Sequence, residues 1–161
     1  MKAEYTQMID DTRQEISTIR TWINQGRNQI DSKSRYLIAY CVVKSSGTSE
    51  VIYKNIVFDY LSIGAQHETV AYLEKMILDS SSNPNTGNIS NLLQTVSVPW
   101  KEQFEKEVKD RNIKSDINSL VQLRNDFAHG KNINISIDAM LKYFDSTVEM
   151  LYILDNIVKQ N

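Results

Sequence analysis

"SRYLIAYCVVKSSGTSEVIYKNIVFDYLSIG", residues 34–64, is apolar on almost all sides in its first half. A helix that is apolar all round is typically buried, so this pattern predicts a long central helix that is the most buried of the fold. Its middle, KSSGTS (44–49), is a weak point, because a glycine in a helix interior costs about 1 kcal/mol relative to alanine. We expect a kink or a close helix crossing at Gly47, within one domain.

Helical periodicity extends along the rest of the chain, which contains only five glycines and two prolines. Residues 5–25 and 136–160 carry apolar residues at helical spacing, and shorter helices are predicted at 67–78, 89–96, 100–110 and 115–129. The alternating NINISI (132–137) is too short to demand a strand and is predicted to be a connector. The prediction is an all-α fold, an antiparallel helical bundle with short extra helices before the one at 115–129, in a single domain over residues 1–161.

Composition bounds the function. With 41% hydrophobic and 24% charged residues, the chain resembles an ordinary soluble globular protein. Its net charge of -2 excludes a globally basic surface, so any contact with nucleic acid must be local. The single cysteine, Cys41, is predicted to be a small buried hydrophobe and allows neither an intramolecular disulfide nor a cysteine-based zinc site. The charged N-terminus and the short apolar runs predict a cytoplasmic protein without signal peptide or membrane span.

The helix at 115–129 has recognisable ends and one apolar face. Ser115 is predicted as its N-cap and Gly130 as the left-handed residue just past its end. Successive residues turn by about 100° around a helix. This rotation places one group of apolar side chains on the face towards the core: Ile117, Leu120, Leu123 and Phe127.

LRNDFAHG (123–130) forms a polar strip on the side of the same helix. Arg124 borders the apolar face, so packing of its stem can hold the guanidinium in a fixed direction. Ala128 is small and leaves room beside it, and Asn125 and His129 complete the strip. A phosphate fits between the arginine and the histidine, since guanidinium binds phosphate and imidazole both donates and accepts protons near pH 7.

Two interpretations of this strip remain open. The first is a phosphodiester-cleaving site, in which His129 acts as general acid, general base or phosphate ligand. The helix dipole at the last turn favours a positive charge, which suits an acid or a phosphate ligand better than a base. The second interpretation is an ordinary helix end, where arginine and histidine are common because they interact with the free carbonyl groups.

RNDFAHG (124–130) also resembles the Arg-x4–6-His signature of the HEPN superfamily, with the polar residue that commonly follows the arginine present as Asn125. The order of the surrounding segments is similar to the RiboL-PSP and MAE-type branch of that superfamily. These segments are the long second helix, the NPNTGNISNLL loop and helix (83–93), Trp100 with Phe104, and INSLVQLRNDFAHG (117–130). The resemblance covers residues from about 35 to 158.

The resemblance implies a helical bundle that dimerises and brings two motifs to one composite cleft. It implies a metal-independent endoribonuclease, acting as a toxin or in antiphage defence, in which the ribose 2′-OH attacks the adjacent phosphodiester. Arg124 would stabilise the phosphorane, His129 would transfer a proton, and Asn125 would orient the phosphate or the histidine. Glu50 lies roughly where this branch often has an acidic residue. The implied partners are RNA, a second copy of the chain, and an antitoxin or other defence-system protein. Because some HEPN domains only bind a partner protein or a nucleotide, a non-catalytic module is the alternative.

Other features point to ordinary structure. The chain has two histidines and no cluster with metal-ligand spacing, so neither a metal nor another cofactor is predicted. His67, at the start of a helical stretch, is predicted to be a surface or capping residue. The run KEQFEKEVKDRNIK (101–114) mixes charges of both signs and is predicted to be a solvated helix face.

Overall fold

The computed structural model describes residues 1–26 and 28–160, which form seven α-helices without a strand. Arg27 and Asn161, which the predicted domain includes, lie outside the described residues. The all-α prediction is confirmed, and NINISI is an irregular connector as predicted. The elements are α1 (Ala3–Ile23), a 3-10 turn (Asn28–Ile30), α2 (Ser32–Leu61), α3 (His67–Leu73), a π-helical turn (Glu74–Leu78), α4 (Thr86–Val96), α5 (Val98–Asp110), α6 (Lys114–Ala128) and α7 (Ile137–Lys159).

Helices α1 and α2 pack antiparallel through apolar contacts and a line of polar pairs. Near the start of α1, the Tyr5 hydroxyl donates to the Asp59 carboxylate at the end of α2. Midway along, the Thr12 and Thr48 hydroxyl oxygens are 2.9 Å apart in the buried interface. The opposite order of these partners along the two helices defines the antiparallel arrangement.

Helix α7 packs against α1, α2, α5 and α6 and is the centre of the core. It runs antiparallel to α1, since Arg13 pairs with Asp145 and Arg20 with Asp138 at 2.8 and 2.7 Å. All residues of the apolar stripe predicted at 136–160 are buried apart from Leu141, which is half-buried. The stripe consists of Ile137, Met140, Leu141, Phe144, Val148, Leu151 and Leu154. α7 buries 12 of its 23 residues and α2 buries 13 of 30, so the prediction that α2 is the most buried helix is wrong.

The first half of α2 keeps one apolar face on the surface, which the sequence pattern did not predict. Tyr36, Tyr40 and Val43 are exposed, as is Val51 two turns further on. Cys41 lies on the opposite face and is fully buried, which raises the pKa of its thiol to about 12. α2 is therefore buried along part of its circumference only.

The helix continues through Gly47, and no other helix in the described part of the chain makes the close crossing that was the second of the two predicted possibilities. Gly47 is exposed, and a Cβ placed there would meet no atom within 4 Å. No other helix among the described residues therefore packs against the glycine. Helix packing on both sides of it outweighs its poor helix propensity.

Helices α5 and α6 are joined by a tight turn that explains a third wrong prediction. Asn112 adopts a left-handed conformation (φ 56°) just past α5, and the Ile113 N–H donates to the Val108 carbonyl at 3.3 Å. This pattern is a Schellman turn, with Ile113 and Val108 both buried beneath it. α6 begins at Lys114 directly after the turn, so Ser115 lies inside the helix and is not its N-cap.

No helix in the described part of the chain has both the length and the apolar character needed to cross a membrane.

In the monomer, replacing Gly47 with alanine should raise the free energy of unfolding by about 1 kcal/mol, because the helix loses its one interior glycine and the new methyl group meets no other atom of the described chain within 4 Å. Urea denaturation of the two proteins measures the difference. A less stable Gly47→Ala protein would show that the glycine is in close contact with a second copy of the chain.

Candidate functional site

Helix α6 ends in a Schellman turn that holds the backbone of His129 in a defined place. Gly130 has a φ of 76°, and its N–H donates to the Phe127 carbonyl at 3.0 Å, while the Lys131 N–H donates to the Asp126 carbonyl at 2.9 Å. Gly130 is thus the left-handed residue past the helix end, as predicted. The His129 N–H still donates to the Asn125 carbonyl at 3.0 Å, so His129 lies one turn beyond Asn125.

Arg124 and Asn125 form a hydrogen-bonded pair beneath this turn. The Asn125 Oδ1 atom accepts from Arg124 Nη1 at 3.2 Å and from Asn83 Nδ2 at 3.3 Å. Because a guanidinium carries only donors, the asparagine atom that faces it must be the oxygen. The Asn125 amide nitrogen therefore points away from Arg124 and remains a donor for a ligand.

The predicted strip is present in part. Arg124 and Asn125 are half-buried, whereas Ala128 and His129 are exposed. The structure brings Arg124 and Asn125 into direct contact, and it connects His129 to them through the helix backbone. The His129 ring forms no hydrogen bond with any of the residues that the structure describes, which leaves it accessible to a ligand. A catalytic role for these three residues stays a prediction.

Asp126 is a carboxylate beside the motif that the sequence analysis did not single out. Its Oδ1 atom lies 2.8 Å from Lys131 Nζ and 2.9 Å from Gln122 Nε2. The hydrogen bond from Lys131 holds the pKa of Asp126 below its usual range, with smaller contributions from Gln122 and His129. Asp126 is therefore an ionised acceptor next to His129 at neutral pH.

A buried lysine on α2 positions the loop that contacts the motif. Lys54 is 6% exposed; its Nζ atom pairs with Glu50 Oε1 at 2.8 Å and donates to the carbonyls of Leu78 and Ser80. Tyr53, on the same helix, donates its hydroxyl hydrogen to the Ser82 carbonyl at 2.8 Å. Burial raises the pKa of Tyr53 to about 12, so it stays a donor.

This loop, residues 79–85, precedes α4 and forms hydrogen bonds with both α4 and α6. Asn83 reaches Asn125 as described, and the Asn88 side chain donates to the Asn83 carbonyl at 3.1 Å. Asn118 on α6 accepts from both the N–H and the hydroxyl of Thr86, each at 3.1 Å. These bonds position Asn125 from outside its own helix.

Glu50, which lies roughly where the resemblance implies an acidic residue, contacts a residue outside the motif. Its carboxylate is engaged with Lys54, four residues further along α2. That i, i+4 spacing of opposite charges is visible in the sequence and was the available signal for this pair. Tyr53 and Asn83 had no such local signal, because their partners are distant in the chain.

An open groove of about 840 Å³ runs between α4, α5 and α6 and includes Asn125 in its lining. We refer to it as the α4–α5–α6 groove. Its α6 side is one helix face, formed by Lys114, Asn118, Val121, Gln122 and Asn125. In the described part of the chain, no group of three or more His, Cys, Asp or Glu side chains is arranged to hold a metal ion.

Comparison with known families identifies the fold. A family model described as RiboL-PSP-HEPN matches residues 9–160. The chain belongs to the RiboL-PSP-HEPN family. Its HEPN fold was expected from the RNDFAHG segment and its surroundings, and the match confirms that resemblance over nearly the whole chain. No curated protein and no solved structure matches the chain.

The position of Phe127 in this HEPN domain corrects another prediction. Ile117 and Leu120 are buried as expected on the core face of α6, and Leu123 is half-buried, but Phe127 is 38% exposed. The helical rotation assigns Phe127 to the correct side of α6. Phe127 lies in the last turn of α6, and its side chain there is partly exposed to solvent.

Phe127→Ala should therefore lower the free energy of unfolding by only about 1 kcal/mol, as expected for a partly exposed position outside the core. Phe144→Ala is the matched comparison, since Phe144 is fully buried on α7 and its loss should cost about 3–5 kcal/mol. Urea denaturation of both variants gives the two values. Equal losses would mean that Phe127 is a core residue.

Proposed function

We propose that this HEPN protein is a metal-independent endoribonuclease that acts at a composite site in a homodimer. The observation that carries the proposal is the end of α6, where the paired Arg124 and Asn125 lie one helical turn below the exposed His129. The fixed backbone supplies cationic, amide and imidazole groups on one side of a rigid helix. Together these groups suit an anionic substrate that needs proton transfer.

In the proposed reaction, the ribose 2′-OH loses its proton and its oxygen attacks the neighbouring phosphorus. The bond from phosphorus to the 5′-oxygen breaks, and that oxygen takes up a proton. The products are a 2′,3′-cyclic phosphate and a free 5′-OH. Arg124 stabilises the negative charge that grows on the non-bridging oxygens, and the free amide nitrogen of Asn125 donates to one of them.

This chemistry explains why a second copy is proposed. Attack and departure occur on opposite sides of the phosphorus, so one group must remove a proton and another must deliver one. Each chain offers a single histidine in the motif, His129, and two motifs supply both proton-transfer groups. A two-fold partner also doubles the charges around the phosphate.

The exposed face of α2 supports a dimer interface. Tyr36, Tyr40, Val43 and Val51 are all exposed and recur at spacings that place them on one side of the helix. Gly47 lies at the same spacing between Val43 and Val51, and its open surroundings allow another chain to approach closely. We propose that this face, which we call the α2 apolar face, packs against its counterpart in a second copy.

Light scattering should give about twice the chain mass of 18.6 kDa, because the α2 apolar face is then buried between two copies. Val43→Glu places a charge in that interface and should produce monomers with reduced RNA cleavage. Ile63→Glu is the matched control, since Ile63 is an exposed apolar residue outside α2. Wild-type protein that is monomeric at micromolar concentration would argue against the composite site.

Loss of either motif residue should abolish most cleavage of single-stranded RNA in the presence of EDTA. We expect His129→Ala to lower the rate about 10²–10⁴-fold, as for removal of a proton-transfer group. Arg124→Ala should lower it about 10²–10³-fold, by analogy with the loss of one oxyanion donor. The readouts are the cleavage rate and the identification of a 2′,3′-cyclic phosphate end.

His67→Ala is the matched control for this experiment, because His67 is the second histidine, is exposed, and lies at the start of α3. It should leave the cleavage rate unchanged. Circular dichroism should show that all three variants remain folded. Cleavage by wild type that EDTA abolishes would contradict the metal-independent mechanism.

We further propose that the enzyme serves as a toxin or antiphage-defence effector, restrained by an antitoxin or another defence-system protein. The proposal rests on the family resemblance. Expression of wild type should then slow growth, and the His129→Ala and Arg124→Ala variants should relieve that effect.

The alternative function is a non-catalytic HEPN module that binds a partner protein or a nucleotide. The net charge of -2 favours it, since proteins that bind RNA tightly are usually more basic. A folded, dimeric wild-type protein that cuts no RNA in the assays above would support this alternative.

A further inference from the structure

We propose that the α4–α5–α6 groove binds the single-stranded RNA that flanks the scissile phosphate. This inference rests on the proposed function and assigns a substrate-binding site to it. The groove has a volume of about 840 Å³, within the range of roughly 300–1,000 Å³ that is typical of ligand sites. Asn125 belongs both to the motif and to the groove lining, so the two sites are continuous.

The α6 side of the groove leads directly to His129. Lys114, Asn118, Gln122 and Asn125 lie on one face of the helix, and His129 follows Asn125 by the four residues that keep side chains on the same face. The bond from the His129 N–H to the Asn125 carbonyl keeps the backbone helical up to that point. A strand lying along this face would therefore pass from the groove to the motif.

Three lysines give the groove a positive charge that the protein as a whole lacks. Lys101, Lys109 and Lys114 line it, and among the described residues none of the three has a carboxylate oxygen within 4.0 Å. The groove also contains Glu105, which accepts a hydrogen bond from Ser90 and offsets one of the three charges. Lysines without a carboxylate partner are available to neutralise phosphates.

Two amides in the groove present a complementary donor and acceptor. Asn118 uses its oxygen to accept from Thr86, which leaves its amide nitrogen as a donor. Gln122 uses its amide nitrogen to donate to Asp126, which leaves its oxygen as an acceptor. The two residues are one helical turn apart, and such a pair suits hydrogen bonding to base edges.

These features favour an unpaired strand over a duplex. The edges of bases used in pairing are accessible only in single-stranded RNA, whereas the deep major groove of an RNA duplex excludes side chains. The groove lining also includes the apolar residues Phe104, Val108 and Val121, which are almost fully buried. Contacts from the lysines to phosphates would thus supply affinity, and contacts from the amides to bases would supply sequence preference.

The test measures binding of a short labelled single-stranded RNA to the His129→Ala protein, which prevents cleavage, over a series of salt concentrations. Each phosphate contact contributes roughly 0.7 to the slope of log affinity against log salt for a single strand. Lys109→Gln and Lys114→Gln should each lower the slope by roughly this amount, and the double variant by roughly twice as much. Gln122→Met should change the relative affinities for oligo(U), oligo(A) and oligo(C) and leave the slope unchanged.

Lys106→Gln is the matched control for the salt series. Lys106 is an exposed α5 residue that has no carboxylate within 4.0 Å in the described part of the chain and does not line the groove. Its substitution should leave the slope as in the parent protein. Equal slope losses for Lys106→Gln and the groove variants would overturn the proposal, because binding would then be non-specific. Equal competition by an RNA duplex would overturn the single-strand assignment.

The experiments can reject the groove proposal and the nuclease proposal independently of each other. RNA cleavage that requires Arg124 and His129 but is insensitive to Lys109→Gln and Lys114→Gln, with unchanged slopes, would overturn the groove and leave the nuclease proposal standing. Slope losses confined to the groove variants, in a protein whose wild type cuts no RNA, would support the groove and reject the nuclease. A protein that neither binds nor cuts RNA would reject both.

Discussion

The buried ammonium group of Lys54 is the constraint on which the arrangement of the candidate site depends. A lysine that is 6% exposed cannot remain charged without partners, because removing an unpaired charge from water costs several kcal/mol. Glu50 balances the charge, and the carbonyls of Leu78 and Ser80 use the remaining hydrogens. The chain between α3 and α4 must therefore pass close to the last third of α2, and the loop that follows brings Asn83 against Asn125.

The consequence is a motif supported from two directions. The backbone hydrogen bonds of α6 fix the main chain of Asn125. Its side-chain oxygen accepts from Asn83, on the loop that Lys54 and Tyr53 anchor. The side-chain amide of Asn125 is thereby held in one orientation, in which its nitrogen can donate to a ligand. Catalytic groups need support of this kind, because small errors in position cost large factors in rate. Glu50 thus contributes to the site by stabilising Lys54.

Local signals in the sequence predicted the helices well, and they failed where distant parts of the chain decide the outcome. Apolar periodicity and Gly130 predicted the course and the end of α6 correctly, since both depend on neighbouring residues. The same periodicity placed Phe127 in the core, because a rotation angle contains no information about where covering helices stop. Ser115 suits an N-cap in isolation, yet α6 follows the Schellman turn at Asn112 directly and has Ile113 as its N-cap, two residues earlier. The hydrogen bonds from Lys54 to Ser80, from Tyr53 to Ser82 and from Asn83 to Asn125 each span more than 20 residues, so no local pattern could reveal them.

The distribution of charge connects the acidic composition with the proposed RNA site. Many of the cations elsewhere are paired: Arg13 and Arg20 bind acids of α7, and Arg111 binds Glu107 and Glu149. Pairing cancels their field at the distance of a ligand, whereas the groove lysines remain uncompensated apart from Glu105. A net charge of -2 would then limit non-specific attraction to nucleic acid, and under our proposal the local positive groove would attract a strand beside the motif. Binding would then depend on entering the groove, so affinity and access to Arg124 and His129 would be coupled by geometry.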